Sequence, residues 1–190
     1  MRKSALGAVA ALAAVLTVAT SVAAAGGTAA AARQPDGRIR LQKIAYELFP
    51  TETYSRSWMG NNIYNTTGRN QAARGSWCCE TPGWQQWTLG ISVQNDGTNS
   101  DRIRVQATGT SLEGWVVKYY HGTTNITAAV VGGTFTTPLL TPGAEYAIKV
   151  KVRIDGSYDT LRRLISLTSV GDPGKSDAVK LVMRHVVCTC

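Results

Sequence analysis

The chain after Gln85 alternates apolar and polar residues over several short segments, a period that places successive side chains on opposite faces of a β-strand. The clearest segment runs from Glu145 to Ile154, where every second residue is apolar and three of those between are basic. Such a strand is typical of a sheet with one buried and one solvated face. The pattern predicts further strands at residues 85–94, 103–107, 114–121, 125–131, 134–140, 161–170 and 178–187.

Turn-forming residues separate these segments. Asn95-Asp96-Gly97 lies between the first two and predicts a β-hairpin, because these residues tolerate positive φ. No strong amphipathic helix pattern interrupts the series. Short alternating strands at this spacing predict an all-β fold, an antiparallel β-sandwich, with a closed barrel as the alternative.

The segment from Ala45 to Gly83 follows a different pattern. It is rich in Asn, Thr, Gly and Arg and lacks sustained alternation, in contrast to a possible early strand at residues 38–44. The sequence therefore predicts a long irregular segment, and so long a connection in a compact domain requires an explanation.

The N-terminus predicts a secretory signal peptide over residues 1–25. Basic residues follow Met1, an uncharged apolar run extends from Ala5 to Ala23, and small residues end at Ala25. Cleavage after Ala25, or as late as Ala32, would release the mature chain, and an uncleaved membrane anchor is the alternative. We then expect a flexible linker over 26–37 and one folded domain over 38–190. This predicts a secreted, extracellular protein without a membrane span after cleavage.

The composition of the 190-residue chain is basic, with a formal net charge of +8. Removal of Arg2 and Lys3 with the leader lowers this charge to +6. A basic exported protein can associate with anionic polymers or membrane surfaces. Because the basic residues are scattered and mostly alternate with apolar ones, we interpret them as solvated strand faces and expect no specific nucleic-acid partner.

The four cysteines, Cys78, Cys79, Cys188 and Cys190, form an even set in an exported chain, which predicts disulfides. A bridge from Cys188 to Cys190 would distort an extended strand, and a vicinal bridge from Cys78 to Cys79 is strained. We therefore predict two bridges that pin the long loop to the last strand, with the pairing left open. A zinc site is the alternative, but CC with CxC lacks the usual CxxC spacing.

Three tryptophans cluster in RGSWCCETPGWQQW, residues 74–87. Trp87 falls in register with the apolar face of its strand and is predicted to be core. Trp58, Trp77 and Trp84 are candidate ligand-binding residues, since exposed tryptophans can stack on sugar rings. In the alternative interpretation, which we favour, they cover apolar surface beneath the pinned loop.

The sequence contains little sign of catalysis. The only histidines, His121 and His185, belong to no HExxH motif, and no GxSxG motif is present. We expect no catalytic residues and no cofactor. Asp96, Asn99 and Asp101 are a weak calcium candidate, but they lack the EF-hand pattern and Asn and Asp are ordinary turn formers, so no metal is expected.

Several phrases resemble, in their order and spacing, the bacterial Ig-like repeats related to the CARDB-like (cell-adhesion-related) domain and the α-galactosidase-associated β-sandwich domain. The resemblance covers approximately residues 54–183. The phrase LTPGAEY at 140–146 also resembles the tyrosine-corner region of fibronectin type III domains, which implies a structural role for Tyr146. The phrases are WMGNNIYNTTG at 58–68, PG at 82–83, VQNDG at 93–97, GWVVKYY at 114–120, LTPG at 140–143, GDP at 171–173 and DAV at 177–179.

This resemblance implies an Ig-like or fibronectin-type-III-like sandwich with a non-enzymatic role outside the cell. The chain differs from the pattern by standing alone and by its four cysteines. We expect a monomeric module with a structural, adhesion or protein-binding role, whose partner is an extracellular protein or a cell-wall polysaccharide. The first alternative is a carbohydrate-binding module that uses Trp58, Trp77 and Trp84, and the second is a hydrolase.

Overall fold

A computed structural model describes residues 32–47, 50–54, 56–78, 83–108, 111–154 and 160–186, apart from the side chains of Trp77, Cys78, Ser111 and His185. These residues form twelve strands and one short helix. The strands are β1 (Pro35–Tyr46), β2 (Glu52–Thr53), β3 (Ala72–Cys78), β4 (Gln85–Asn95), β5 (Ile103–Ala107), β6 (Ser111–Leu112), β7 (Trp115–His121), β8 (Thr124–Asn125), β9 (Phe135–Thr136), β10 (Glu145–Ile154), β11 (Leu161–Ser169) and β12 (Ser176–Val186), and the helix is α1 (Thr127–Val131).

The strands make two separate sheets rather than the alternative closed barrel. The seven-stranded sheet has the order β2-β1-β4-β10-β7-β6, with β8 also paired to β7. The five-stranded sheet has the order β3-β12-β11-β5-β9. Apolar residues from both sheets form one hydrophobic core. The chain is therefore all-β with two layers around a single core, as the alternation predicts.

Strand β4 contributes four fully buried apolar side chains to the core, Trp87, Leu89, Ile91 and Val93. Trp87, predicted to be core, is fully buried and stacks on Trp115 of β7 with ring centroids 5.7 Å apart. Leu167 of β11 and Met183 of β12 are also fully buried, on the five-stranded sheet. Burying each such side chain stabilises the fold by about 1.5 to 3 kcal/mol. A shift in register by one residue would expose the whole apolar set of a strand, so the strict alternation fixes which face points inward.

The predicted hairpin between β4 and β5 is wrong. β4 pairs with β1 and β10 in one sheet, whereas β5 pairs with β11 and β9 in the other. The connection is long enough to cross the gap of about 10 Å between packed sheets. Polar side chains hold it there: Asn95 donates to the carbonyl oxygens of Asn99 and Leu140, both at 2.9 Å.

Two further strand predictions need correction. Residues 127–131, predicted as strand, form α1, which directs Val130 into the core. This segment is Thr-Ala-Ala-Val-Val, and its alanines favour a helical turn. In the predicted strand 134–140, only Phe135–Thr136 pairs as β9, while Leu140 makes an isolated bridge to Asp101.

The segment 45–83 is less irregular than predicted, because it contains β3. This strand runs parallel to β12, with Ala72 opposite Lys180 and Cys78 opposite Val186. The five-stranded sheet is therefore mixed rather than purely antiparallel. At the other end of the fold, β1 begins at Pro35, three residues before the position where the pattern starts the folded domain.

Candidate functional site

The outward face of the seven-stranded sheet concentrates positive charge. Strand β4 carries four small or neutral outward residues, Gln86, Thr88, Gly90 and Ser92, between β1 and β10. Opposite these residues, β1 and β10 place basic side chains on both sides, and β7 adds one more beside β10. We call this set the basic face: Arg38, Arg40, Lys43, Lys118, Lys149, Lys151 and Arg153.

The strand register arranges this face in rows. Gly90 lies opposite Arg40 on one side and Lys149 on the other. Thr88, in the next row, lies opposite Lys43 and Lys151. The rows from Gly90 to Gln86 span about 14 Å along the strands, and the four strands span a similar distance across them. The result is a shallow trough with cations on both walls.

The basic face ends at a row of acids. Asp36 of β1 and Glu145 of β10 both lie opposite Gln94. Glu145 forms an ion pair with Arg38 and accepts a 2.7 Å hydrogen bond from the hydroxyl of Ser92. The Ser92 hydroxyl, followed by the Arg38 guanidinium, holds the pKa of Glu145 below its usual value. Arg38 is thus neutralised, whereas Arg40, Lys149 and Lys151 form no ion pair within the described part of the chain.

Asp36 is the unusual member of this acidic row. Its side chain is fully buried, and neither carboxyl oxygen has a hydrogen-bond partner among the residues the structure describes. Burial raises the pKa of Asp36 to about 7. Attraction to the backbone of Asn62 and to Arg38 opposes the rise, and repulsion from Asp96 and Asp177 adds to it. A carboxyl in this position loses its proton near neutral pH.

Aromatic rings pack against several of these cations. Trp58 lies beneath the guanidinium of Arg40, 4.3 Å from the ring centroid. Arg153 lies over Trp84 at 5.0 Å, and the Lys151 ammonium lies 5.4 Å from the ring of Tyr120. Cation–π contacts of this kind contribute about 0.5 to 1 kcal/mol each at exposed sites and hold the charged groups at fixed positions.

Gly90 allows Trp58 to lie against the sheet. A Cβ at position 90 would be 2.8 Å from Nε2 of Gln42 and 3.3 Å from a ring carbon of Trp58. Trp58, Gly90 and Lys149 line a groove of about 310 Å³. A second groove on the same face, of about 470 Å³, is lined by residues that include Gln86, Lys118, Lys151 and Arg153. The face therefore offers two adjacent depressions with basic walls.

The three candidate tryptophans take different positions. Trp58 and Trp84 are both half-buried and lie near opposite ends of the trough, beside Arg40 and Arg153. The backbone of Trp77 belongs to β3 in the other sheet, and its side chain lies outside the described atoms.

The predicted disulfide residues fall largely outside the described residues, which exclude Cys79, Cys188 and Cys190. The backbone of Cys78 is described and lies opposite Val186, two residues before Cys188. The bridges stay a prediction.

The calcium candidates occupy the crossing between the sheets. Asp101 is buried, and its Oδ1 accepts hydrogen bonds from the Arg33 guanidinium at 3.1 Å and the Gly171 N–H at 3.1 Å. Its Oδ2 accepts from the Ser169 hydroxyl. Asp96 accepts a 2.9 Å hydrogen bond from the Tyr64 hydroxyl, and the N–H of Asn99 donates to the backbone. These contacts give Asp101 a structural role.

His121 is exposed and stacks on Tyr146 at 4.3 Å, with Nδ1 3.1 Å from the carbonyl oxygen of Ala147. The side chain of His185 is not described. Within the described residues, no group of three His, Cys, Asp or Glu side chains is placed to hold a metal ion. No helix in this part of the chain has the length and apolar character needed to cross a membrane.

The sequence did not reveal the basic face. Its alternating Lys and Arg residues were visible and were interpreted as scattered solvated charge. The missing information is that β4, with its small outward residues, lies between β1 and β10, two strands that are far apart in the chain.

Comparisons with known proteins give no family. No protein-family model matches this chain, and no curated protein matches it. Among solved structures, the N-terminal domain of PorA aligns with 60% of this chain and 86% of its own, at 10% identity and a TM-score of 0.38. The secreted serine protease VesC from Vibrio cholerae aligns with 60% of this chain and 22% of its own, at 13% identity and a TM-score of 0.37. Likenesses this low support no inference about function.

Proposed function

We propose that the protein is an exported, non-catalytic β-sandwich module that binds an acidic polysaccharide through the basic face, as an adhesion component at or outside the cell surface. The observation that carries this proposal is the trough on β4, where cationic side chains lie on both sides of the rows from Gly90 to Gln86 and no described strand residue opposite these rows is acidic. The resemblance to Ig-like CARDB-type modules is compatible with this role, and membership of that family stays a prediction.

The charge arrangement favours a polymer over a small anion. Like charges on neighbouring strands repel one another, so a face of this kind lowers the stability of the free protein. A polyanion laid across the rows neutralises several cations at once and releases its own counterions. The basic side chains follow both walls of the trough for about 14 Å, a length that suits an extended chain rather than a single acidic group.

The tryptophans favour a sugar polymer. Trp58 and Trp84 each have an arginine over the indole ring, and a sugar ring packed against the exposed part of either indole would lie beside that positive charge. An acidic sugar presents an apolar ring face together with a carboxylate, which matches this pairing of ring and cation. Neutral-carbohydrate binding by the tryptophans alone is the second candidate function.

The test compares two charge-reversed proteins that have the same net charge. One carries Arg40→Glu, Lys149→Glu and Lys151→Glu on the basic face, and the control carries Arg104→Glu, Arg162→Glu and Arg184→Glu on the five-stranded sheet. Affinity for a labelled decamer of polygalacturonate is measured by fluorescence anisotropy at two salt concentrations. Each cation contributes about 1 kcal/mol near an anionic surface, so the first protein should bind about 100-fold more weakly than wild type.

The control protein should lose far less affinity. Equal losses in the two proteins would show that net charge alone drives binding and would overturn the proposed site. Binding of neutral dextran at the strength of polygalacturonate would favour the second candidate function. A single-stranded oligonucleotide of equal charge, bound more tightly than the polysaccharide, would contradict the assignment of ligand class.

Export and the disulfides belong to the same proposal. We propose cleavage of the leader and two bridges between the pair Cys78 and Cys79 and the pair Cys188 and Cys190. The parallel pairing of Cys78 with Val186 supports it, because it brings the backbones of the two segments side by side. Non-reducing mass spectrometry of the exported chain should show the loss of four hydrogens, and four free thiols would contradict it.

A further inference from the structure

A third groove borders the basic face at Arg40, at the side of the molecule where β1 and β3 come together. It has a volume of about 530 Å³ and runs between the segment 56–59 and strand β3. We call it the edge groove. Its lining includes Arg40, Leu41, Arg56, Met59, Ala73 and Arg74.

One wall of the edge groove is a strand edge that pairs with no other described strand. β3 is the last strand of the five-stranded sheet and pairs with β12 on its other side. The opposite wall is held in place by two backbone hydrogen bonds between Met59 and Ile39 of β1, both 2.9 Å long. The outer edge of β3 therefore borders the groove, with the segment 56–59 on the opposite side. Unpaired edges of this kind accept an additional strand.

The side chains around this edge alternate in character. Ala73 points inward and is buried, close to the buried Leu41 and the partly exposed Met59. Arg74, the next residue of β3, is exposed on the outer side. A strand added beside β3 would place its own side chains alternately toward these two surroundings. It would meet apolar atoms on one side and arginine on the other.

The charges around the edge groove are of one sign. Arg56 stands on the wall opposite Arg74 and stacks on Tyr54 at 5.5 Å. Arg40 reaches the groove from β1, and its Nε is buried without a hydrogen-bond acceptor among the described residues. None of the described residues that line the groove is acidic. Three arginines around an apolar floor are complementary to a segment whose acidic and apolar residues alternate.

We propose that the edge groove binds an extended segment of a partner protein, with alternating acidic and apolar residues, as an added strand on β3. Main-chain hydrogen bonds to β3 provide affinity, and cross-strand pairs between partner carboxylates and Arg74 or Arg56 provide selectivity. A polysaccharide could reach the same arginines, but it cannot continue the β-sheet. This site is independent of the basic face, except that Arg40 borders both.

The test uses a blocked peptide of seven residues, alternating glutamate and valine, titrated into the full exported chain by isothermal calorimetry. The variant carries Arg56→Glu and Arg74→Glu, and the matched control carries Arg104→Glu and Arg162→Glu. The edge-groove variant should lose about tenfold or more in affinity, and the control should stay within about twofold of wild type. The edge-groove variant should still bind polygalacturonate, which separates this proposal from the proposed function.

Backbone methylation of the peptide tests strand addition itself. Only alternate residues of an added strand direct their N–H groups at β3, so methylating the nitrogens of one alternate set should abolish binding and methylating the other set should not. Equal tolerance of both methylated peptides would overturn strand addition. Loss of peptide binding in the basic-face variant Lys149→Glu with Lys151→Glu, but not in the edge-groove variant, would place the peptide elsewhere and reject the site.

Discussion

The outward faces of the two sheets have similar alternating sequences but distribute their charge differently. On the seven-stranded sheet, cations on β1 and β10 flank the small residues of β4, and aromatic rings support them. On the five-stranded sheet, Val182 separates Arg162 from Arg74, and Lys180 lies between Leu164 and Ala72. The first arrangement concentrates positive charge along a trough, whereas the second disperses it among apolar neighbours.

The difference shows that strand order, rather than composition, concentrates positive charge on one face. Lys149 and Lys151 alternate with apolar residues in the sequence, as Lys180 and Arg184 do. Only the pairing with β4 places Lys149 and Arg40 on opposite sides of a glycine. Electrostatic focusing depends on such clustering, because charges spread over a convex surface are screened within about 10 Å.

The largest expected effect comes from the tie between the two sheets. Asp177 of β12 is fully buried, and its Oδ2 accepts a 2.7 Å hydrogen bond from the N–H of Gly37 in β1. Its Oδ1 accepts from the N–H of Asn65 at 2.9 Å and from Gln71 at 2.8 Å. Asp177→Ala leaves these donors unsatisfied and should lower the free energy of unfolding by about 3 to 5 kcal/mol, as measured by urea denaturation.

The exposed turn provides the control for that substitution. Asp172 accepts a 3.2 Å hydrogen bond from the N–H of Gly174 at the surface. Asp172→Ala should cost less than about 1 kcal/mol. If Asp177→Ala lowered the free energy of unfolding by as little as Asp172→Ala, the buried carboxylate would not be what ties the two sheets together.

The second effect concerns the acidic end of the basic face and depends on pH. Because burial raises the pKa of Asp36 to about 7, the unfolded chain loses this proton at lower pH than the folded protein does. The stability of the wild type should therefore fall as pH rises from about 4 to about 7. Asp36→Asn removes this dependence. Its free energy of unfolding should therefore rise relative to that of wild type, by about 2 to 4 kcal/mol in going from pH 4 to pH 7.

Glu145→Gln is the matched control, with the opposite sign. The pKa of Glu145 is lowered, so its contribution to stability is lost as pH falls through the folded-state value. Urea denaturation at pH 4.5 and pH 8 distinguishes the two variants. Parallel pH curves for wild type and Asp36→Asn would show that Asp36 titrates near its usual pKa.

The third effect tests the shape of the trough. A side chain at position 90 would collide with Gln42 and displace Trp58. Gly90→Val should therefore weaken polygalacturonate binding by about tenfold without removing any charged side chain. Ser166→Val, on the outward side of β11, is the control and should leave binding unchanged. Unaltered affinity in Gly90→Val would show that charge acts without the trough.

The smallest effect is that of a single aromatic support. Trp84→Ala removes the ring beneath Arg153 and should weaken polysaccharide binding by about threefold, since exposed cation–π contacts contribute 0.5 to 1 kcal/mol. The near-ultraviolet circular dichroism of the core tryptophans should stay the same. A loss of 30-fold or more would instead make Trp84 a principal sugar contact and would favour the carbohydrate-binding alternative.

The sequence predicted the long, strictly alternating strands best. β10 spans Glu145–Ile154 as predicted, because one-sided burial leaves a clear period of two. Local sequence patterns did not predict where the chain crosses from one sheet to the other. Asn95-Asp96-Gly97 resembles a hairpin turn, but the buried hydrogen bonds of Asp101 hold the chain in a crossing between the sheets. The site depends on the same non-local information, since the pairing of β4 with both β1 and β10 cannot be read from any one segment.

The parallel pairing of β3 with β12 also constrains when the fold can be completed. Ala72 meets Lys180, which lies 108 positions further along the chain. Among the described strands, β3 therefore has no partner until β12 has been synthesised. Closing so long a loop before any stabilising contact forms is slow, so the edge that borders the proposed peptide groove should be the last part of the domain to form.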